Sequence, residues 1–192
     1  MTQLFKFWPN LVALAQALAV CMVLCGSLGY QFLMGEMPCP LCVVQRAAFL
    51  LALVGPIGIL ARKTEGLERI TADARDFGLT IFAGLIGLVF SVRQVLLHIV
   101  PPDPGYGPPV LGLHLYTWAA IVFFCLILGS GIGILGLRRD VSHLPPALVK
   151  TLCSFVILLA CVFAAVTFAM EGFNWLLPDD PVRYELFNSS TE

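Results

Sequence analysis

Five apolar runs, each long enough to cross a bilayer, constrain this chain more than any other feature: Leu11–Met34, Leu41–Ala61, Phe77–Val100, Leu115–Leu137 and Ala147–Met170. About 20 residues of helix cross the hydrocarbon layer. A soluble helix of that length would carry a polar face at a 3.6-residue period, and these runs have none. Inside a bilayer each backbone N–H and C=O must be satisfied within its own segment, which leaves helices as the spanning form. The expected fold is therefore all-α, a polytopic membrane helix bundle surrounded by membrane lipid. Composition agrees, with 59% hydrophobic and 12% charged residues in 192. The net charge of −1 gives no reason to expect a nucleic-acid partner.

The positive residues orient the bundle. Lys6, the group Arg62, Lys63, Arg69 and Arg75, and the group Arg138, Arg139 and Lys150 fall on one side of five spans, and Arg183 alone on the other. The positive-inside rule then puts the N-terminus in the cytoplasm and the C-terminal tail outside. Trp118, Trp175, Tyr30, Tyr106 and Tyr116 gather at the outer interface, as an aromatic belt does. The loop Arg62–Asp76 is mixed in charge and is expected to be an aqueous connector on the inner side.

The chemistry concentrates at Pro38-Cys39-Pro40-Leu41-Cys42-Val43-Val44-Gln45-Arg46, at the outer end of the second span. Two thiols separated by two residues can close a disulfide or share a metal. Pro40 suits the first position of a helix, which makes Cys39 the N-cap and puts Cys42 in the first turn, facing the positive end of the helix dipole. Arg46 follows one turn later on the same face. A guanidinium cannot shed its charge, so at this depth it requires a thiolate or a polar ligand head group beside it. The outer face of a bacterial inner membrane is the oxidising side, where dithiol chemistry belongs.

Other features are weaker. Gln16 and Gln31 are the polar residues of the first span and should face other helices; Cys21, Cys25, Cys125, Cys153 and Cys161 read as packing residues. Leu24-Cys25-Gly26 is faintly similar to a lipoprotein processing site, but Leu24 is too large for the residue before such a cleavage, so an uncleaved span is expected. Gly55-Pro56 should kink the second helix, and Gly129, Gly131, Gly133 and Gly136 should allow close packing of the fourth. Arg93 and Gln94 sit about two turns inside the outer end of the third span, at a depth comparable to Arg46. The outer loop Pro101–Leu113 holds five prolines and three glycines and no cysteine, and His98 and His114 bracket it.

Around Pro38–Arg46 the chain closely resembles the disulfide-bond-formation protein B (DsbB) family, whose members carry a Cys-x-x-Cys followed four residues later by an arginine at the outer end of the second of four helices. Helix number, the short first outer loop, orientation and the arginine all agree over roughly Leu11–Leu137. The resemblance implies a quinone-dependent oxidoreductase that takes electrons from a periplasmic, thioredoxin-like dithiol oxidant and passes them to ubiquinone or menaquinone in the inner membrane. It further implies that Cys39 and Cys42 are the catalytic pair, with Cys42 beside the quinone, and that Arg46, Arg93, Gln94 and His98 form the quinone site.

The chain departs from the family in two respects. Family members carry a second cysteine pair in the loop after the third helix, and this chain has none there. It also has a fifth span and an outer tail, so the expected division is a four-helix membrane domain over 1–140 and an added helix and tail over 141–192. One dithiol suffices chemically, because a partner thiolate can attack an exposed disulfide and the second cysteine can resolve the adduct. Two alternatives stay open at this stage. One is a quinone-binding accessory protein without disulfide relay, and the other a haem or metal site using His98 and His114.

Overall fold

The computed structural model describes residues 6–100, 102, 105–139, 141–174 and 181–187. Five helices carry the fold: α1 Trp8–Leu33, α2 Pro40–Ala61, α3 Gly66–Leu97, α4 Leu115–Leu135 and α5 Pro146–Glu171. Each is long and apolar enough to cross a membrane. Short 3-10 turns follow at Gly172–Asn174 and Glu185–Phe187. Among the described residues there is no strand, only one isolated bridge between Val110 and Leu113. Trp175 of the expected aromatic belt lies outside the described residues, as do Asp179, Asp180 and the last five residues of the tail.

The core draws on all five helices, most densely on α1–α4, with Leu152, Leu159 and Phe163 contributed by α5. The rings of Phe49 on α2 and Phe123 on α4 stack with centroids 3.9 Å apart, and Phe123 fits only because Gly87 on α3 has no side chain where that ring lies. Gly133 makes the same space on α4 for Phe77, and Gly136 for Trp8, while Gly131 faces open space. Small residues let helix backbones approach where lipid supplies no hydrophobic drive to associate.

Pro56 lies inside α2 without ending it. A proline has no N–H to give the carbonyl four residues back, here that of Ala52. The Thr80 hydroxyl on α3 reaches that carbonyl at 3.4 Å. Gly55 and Gly58 face Asp76 and Thr80, and a side chain at either position would strike them. The Gly-Pro break thus serves a tight α2–α3 contact.

The largest departure from expectation is the stretch Arg62–Asp76. From Gly66 onward it is helix, so α3 begins eleven residues before the apolar run it contains, and Arg69, Asp73 and Asp76 are buried. Arg69, 1% exposed, donates from Nε to Asp73 Oδ2 at 2.7 Å and from Nη2 to Asn10 Oδ1 at 2.9 Å on α1. It also reaches the carbonyls of Arg62 and Ile59 at the end of α2. Arg62 binds Asp73 at 2.9 Å and pairs with Asp76. Each charge has an opposite partner and further hydrogen bonds, the condition under which ions persist out of water. Asn10 Nδ2 donates to Ser142 O at 2.8 Å, which ties the α4–α5 connection to the same knot.

Several lone cysteines also differ from expectation. Cys21 is buried, but Cys25, Cys125 and Cys161 are exposed on the outside of the bundle. A small apolar side chain is as acceptable against lipid as against a neighbouring helix, so apolarity alone did not separate the two.

Candidate functional site

Cys39 caps α2 as its sequence requires. Its backbone is extended, with φ −68° and ψ 166°, Pro40 takes the first helical position, and its sulfur accepts from Cys42 N at 3.3 Å. The two sulfurs stand 2.8 Å apart, so a disulfide between them closes with little movement. Gln94 reaches across from α3, donating from Nε2 to Cys39 Sγ at 3.2 Å and to Cys42 Sγ at 3.5 Å. Its Oε1 accepts from Gln45 Nε2 at 2.8 Å and lies 3.8 Å from Cys42 Sγ. Gln45 fixes the Gln94 amide, and Gln94 fixes the thiols. The hydrogen bond with Cys42, and then burial, pushes the Cys39 thiol well above its ordinary range.

Arg46 points the other way around α2, toward α1. Its Nη1 donates to Gln31 Oε1 at 2.6 Å and its Nη2 to Ser27 O at 3.0 Å. The guanidinium carbon lies 5.5 Å from the centre of the Phe163 ring on α5, within the range of a cation–π contact. Arg46 and Cys42 share the wall of a cavity of about 850 Å³ between α1, α2, α4 and the outer loop. The wall is mostly apolar, with Phe49, Leu24 and Ala119 among its residues, and its polar groups include Arg46, Gln31, Gln45 and Tyr30. Such a cavity matches a small-molecule site in volume and character. Its apolar wall fits a quinone ring and the first part of its tail, and the arginine fits a ring oxygen.

The outer loop is strapped down over this end. Tyr106 donates from its hydroxyl to Met37 O at 2.6 Å, two residues before Cys39. Tyr30 reaches Pro108 O at 3.1 Å, Trp118 Nε1 reaches Val110 O at 3.0 Å, and His114 Nδ1 lies 2.9 Å from Gly107 O. The aromatic residues expected as an interfacial belt therefore hold a loop. Cys39, at this end of α2, is only 6% exposed.

The six residues singled out from the sequence separate in the structure. Cys39, Cys42 and Gln94 form one contact group, and Arg46 joins it through the cavity wall. Arg93 is exposed and lines neither this cavity nor a second one between α2 and α5. His98 caps the end of α3 and stacks on Tyr116 with centroids 5.7 Å apart; His114 stacks on the same ring at 5.2 Å. Among the described residues, no three His, Cys, Asp or Glu side chains converge as metal ligands do. Gln45, Ser27 and Tyr184, whose hydroxyl accepts from Gln31 Nε2 at 3.0 Å, were not foreseen. Gln45 had a signal, since it lies three residues after Cys42 on the same helical face, whereas Ser27 acts through its backbone and Tyr184 lies in a tail with no motif.

The family model described as Disulfide bond formation protein DsbB matches residues 9–106. That range includes α1–α3 and all six candidate residues. Disulfide bond formation protein B of Cupriavidus pinatubonensis is 28% identical over 145 residues, covering 59% of this chain and 84% of that protein. Disulfide bond formation protein B 1 of Pseudomonas fluorescens is 30% identical over 146 residues, covering 62% and 86%. Disulfide bond formation protein B of Chromohalobacter salexigens is 38% identical over 95 residues, covering 47% and 53%. No solved structure matches the chain. With the matched model spanning just over half of its length, and with the Cys-x-x-Cys, its glutamine clamp and the neighbouring arginine inside that span, the chain belongs to the disulfide bond formation protein B family.

Proposed function

We propose that this membrane protein oxidises a periplasmic, thioredoxin-like dithiol protein through the Cys39–Cys42 pair and passes the electrons to a membrane quinone. The observation that carries the reading is the placement of Cys42 and Arg46 on one wall of the apolar cavity, with both sulfurs of the pair held by Gln94. In this reading the N-terminus is cytoplasmic and the cysteine end faces the periplasm, which the distribution of Lys and Arg supports.

In the oxidised state a partner thiolate attacks Cys39 Sγ, the Cys39–Cys42 bond breaks, and Cys42 leaves as a thiolate. The second partner thiol then attacks the partner's own sulfur in the mixed disulfide and releases Cys39, so one partner disulfide forms as the Cys39–Cys42 disulfide is reduced. Cys42 is the better leaving group because it occupies the first turn of α2, facing the positive end of the helix dipole. A bound quinone supplies the acceptor for two electrons and two protons that restores the disulfide. Arg46 and Gln45 are the polar donors on that wall that would hold its oxygens. Arg46 also favours negative charge on that wall. The loop tethered by Tyr106 keeps water from the pair between turnovers, and it must lift for the partner to reach Cys39.

Purified protein supplied with a reduced dithiol protein should reduce a short-chain quinone, and Cys39→Ala protein should not. Quinone binding without reduction would identify an accessory binder instead.

A further inference from the structure

The fifth helix and the tail lie beyond the residues matched by the family model, yet they converge on Arg46. Phe163 places its ring against the guanidinium. Met170, 1% exposed at the end of α5, accepts from Gln31 Nε2 at 3.5 Å, and the Tyr184 hydroxyl accepts from the same nitrogen at 3.0 Å. Gly172 makes the return possible. Its φ of +63° turns the chain back at the end of α5, and a side chain there would press on Glu185 Cβ at 3.3 Å.

The chemistry of these contacts is directional. A guanidinium carries only donors, so Gln31 must turn its oxygen toward Arg46. The amide nitrogen must then find acceptors on its far side, and Gln31 is buried. Tyr184 and Met170 are those acceptors. Without them the amide loses the groups that oppose its rotation, and a rotated amide would set N–H against N–H at Arg46.

We infer that α5 and the segment 181–187 form a positioning element for Arg46, in which Tyr184 and Met170 orient the Gln31 amide and Gln31, with Phe163, holds the guanidinium on the cavity wall. Tyr184 touches neither thiol and is a positioning residue. The inference deepens the quinone reading above and rests on it for its functional consequence, though not for its geometry.

The test uses the full chain in detergent, with Tyr184→Phe, which keeps the ring and removes the hydroxyl. The affinity for a short-chain benzoquinone, read from quenching of tryptophan fluorescence, should weaken about three- to tenfold, the scale of one hydrogen bond. Turnover at saturating quinone should depend on the dithiol protein as in the wild type. Phenylglyoxal should modify Arg46 faster by a similar factor, read by peptide mass spectrometry without any quinone present. Met170→Leu should shift both readouts the same way by less. In a Gln31→Glu background Tyr184→Phe should change neither, because a carboxylate accepts with either oxygen and has no orientation to lose. Unchanged quinone affinity and unchanged Arg46 modification in Tyr184→Phe would overturn the inference. So would an equal loss in the Gln31→Glu background, which marks a merely structural tail. Wild-type protein that binds no quinone, yet shows the Tyr184-dependent protection of Arg46, would refute the functional reading and leave the positioning role standing.

Discussion

Tyr106→Phe isolates the barrier in front of Cys39. The substitution keeps the ring and removes the 2.6 Å hydrogen bond to Met37 O. A net intramolecular hydrogen bond contributes about 0.5–1.5 kcal/mol. At 1.4 kcal/mol per tenfold, the open fraction of the loop should rise about two- to twelvefold. The assay is alkylation of the reduced protein by a small maleimide, followed by mass spectrometry of the peptide that carries Cys39. Where opening and closing are faster than alkylation, the rate follows the open population. Comparing variants with wild type at one pH cancels the raised pKa of Cys39. Tyr30→Phe, which loses an exposed 3.1 Å bond to Pro108 O, should add a smaller increment. If the Tyr30/Tyr106 double variant alkylates Cys39 at the wild-type rate, the loop is not the barrier, and the partner's route to Cys39 must be sought elsewhere.

Oxidised protein mixed with a reduced partner whose second cysteine is replaced should accumulate a reducible Cys39 adduct on gels, because the thiol that would release Cys39 is gone, while Cys39→Ser should show neither adduct nor turnover. Replacing Cys21, Cys25, Cys125, Cys153 and Cys161 together should leave turnover largely intact; an inactive but folded variant would expose a second pair inside the bundle. Arg46→Lys keeps the charge but loses the planar fork that meets Gln31 Oε1 and Ser27 O, so quinone KM should rise with little change in yield, and a fully active Arg46→Met would refute its role. Arg69→Met strands Asn10 and leaves the buried Asp73 with Arg62 alone, which should cost about 3–5 kcal/mol, read as a lowered thermal midpoint in detergent. A membrane-impermeant reagent applied from outside should label a cysteine placed at Phe187–Glu192 but not one at the exposed Lys63–Glu65; the reverse would overturn the orientation.

The parts of the fold that repeat a local rule were legible in the chain. Apolar length revealed five helices, and Pro40 placed Cys39 at a helix cap before any coordinates did. What escaped was pairing at a distance. Arg69 and Asp73 look like residues of a wet loop until the ends of α1 and α2 bring Asn10 and Arg62 to them, and no periodicity in one segment carries that information. Arg93 and Gln94 are neighbours with similar polarity, yet one faces outward and the other grips both sulfurs, because adjacent helical positions point about 100° apart. The outer loop is tied to the residues before Cys39 by tyrosines from α1 and from more than 60 residues away in sequence.

The ion-paired knot at the other end of α2 bears on redox economy across the membrane. Cys42 and Arg62 are separated by twenty helical positions, about 30 Å at 1.5 Å per residue. At the far end Arg69, Asp73 and Asn10 interlock as buried polar side chains. Compartments on the two sides of such a membrane hold different thiol potentials, and a pair of cysteines reachable from both would short-circuit them. The knot and the cysteine pair stand at opposite ends of α2, and a change at Arg69 acts on the bundle about 30 Å from the thiols.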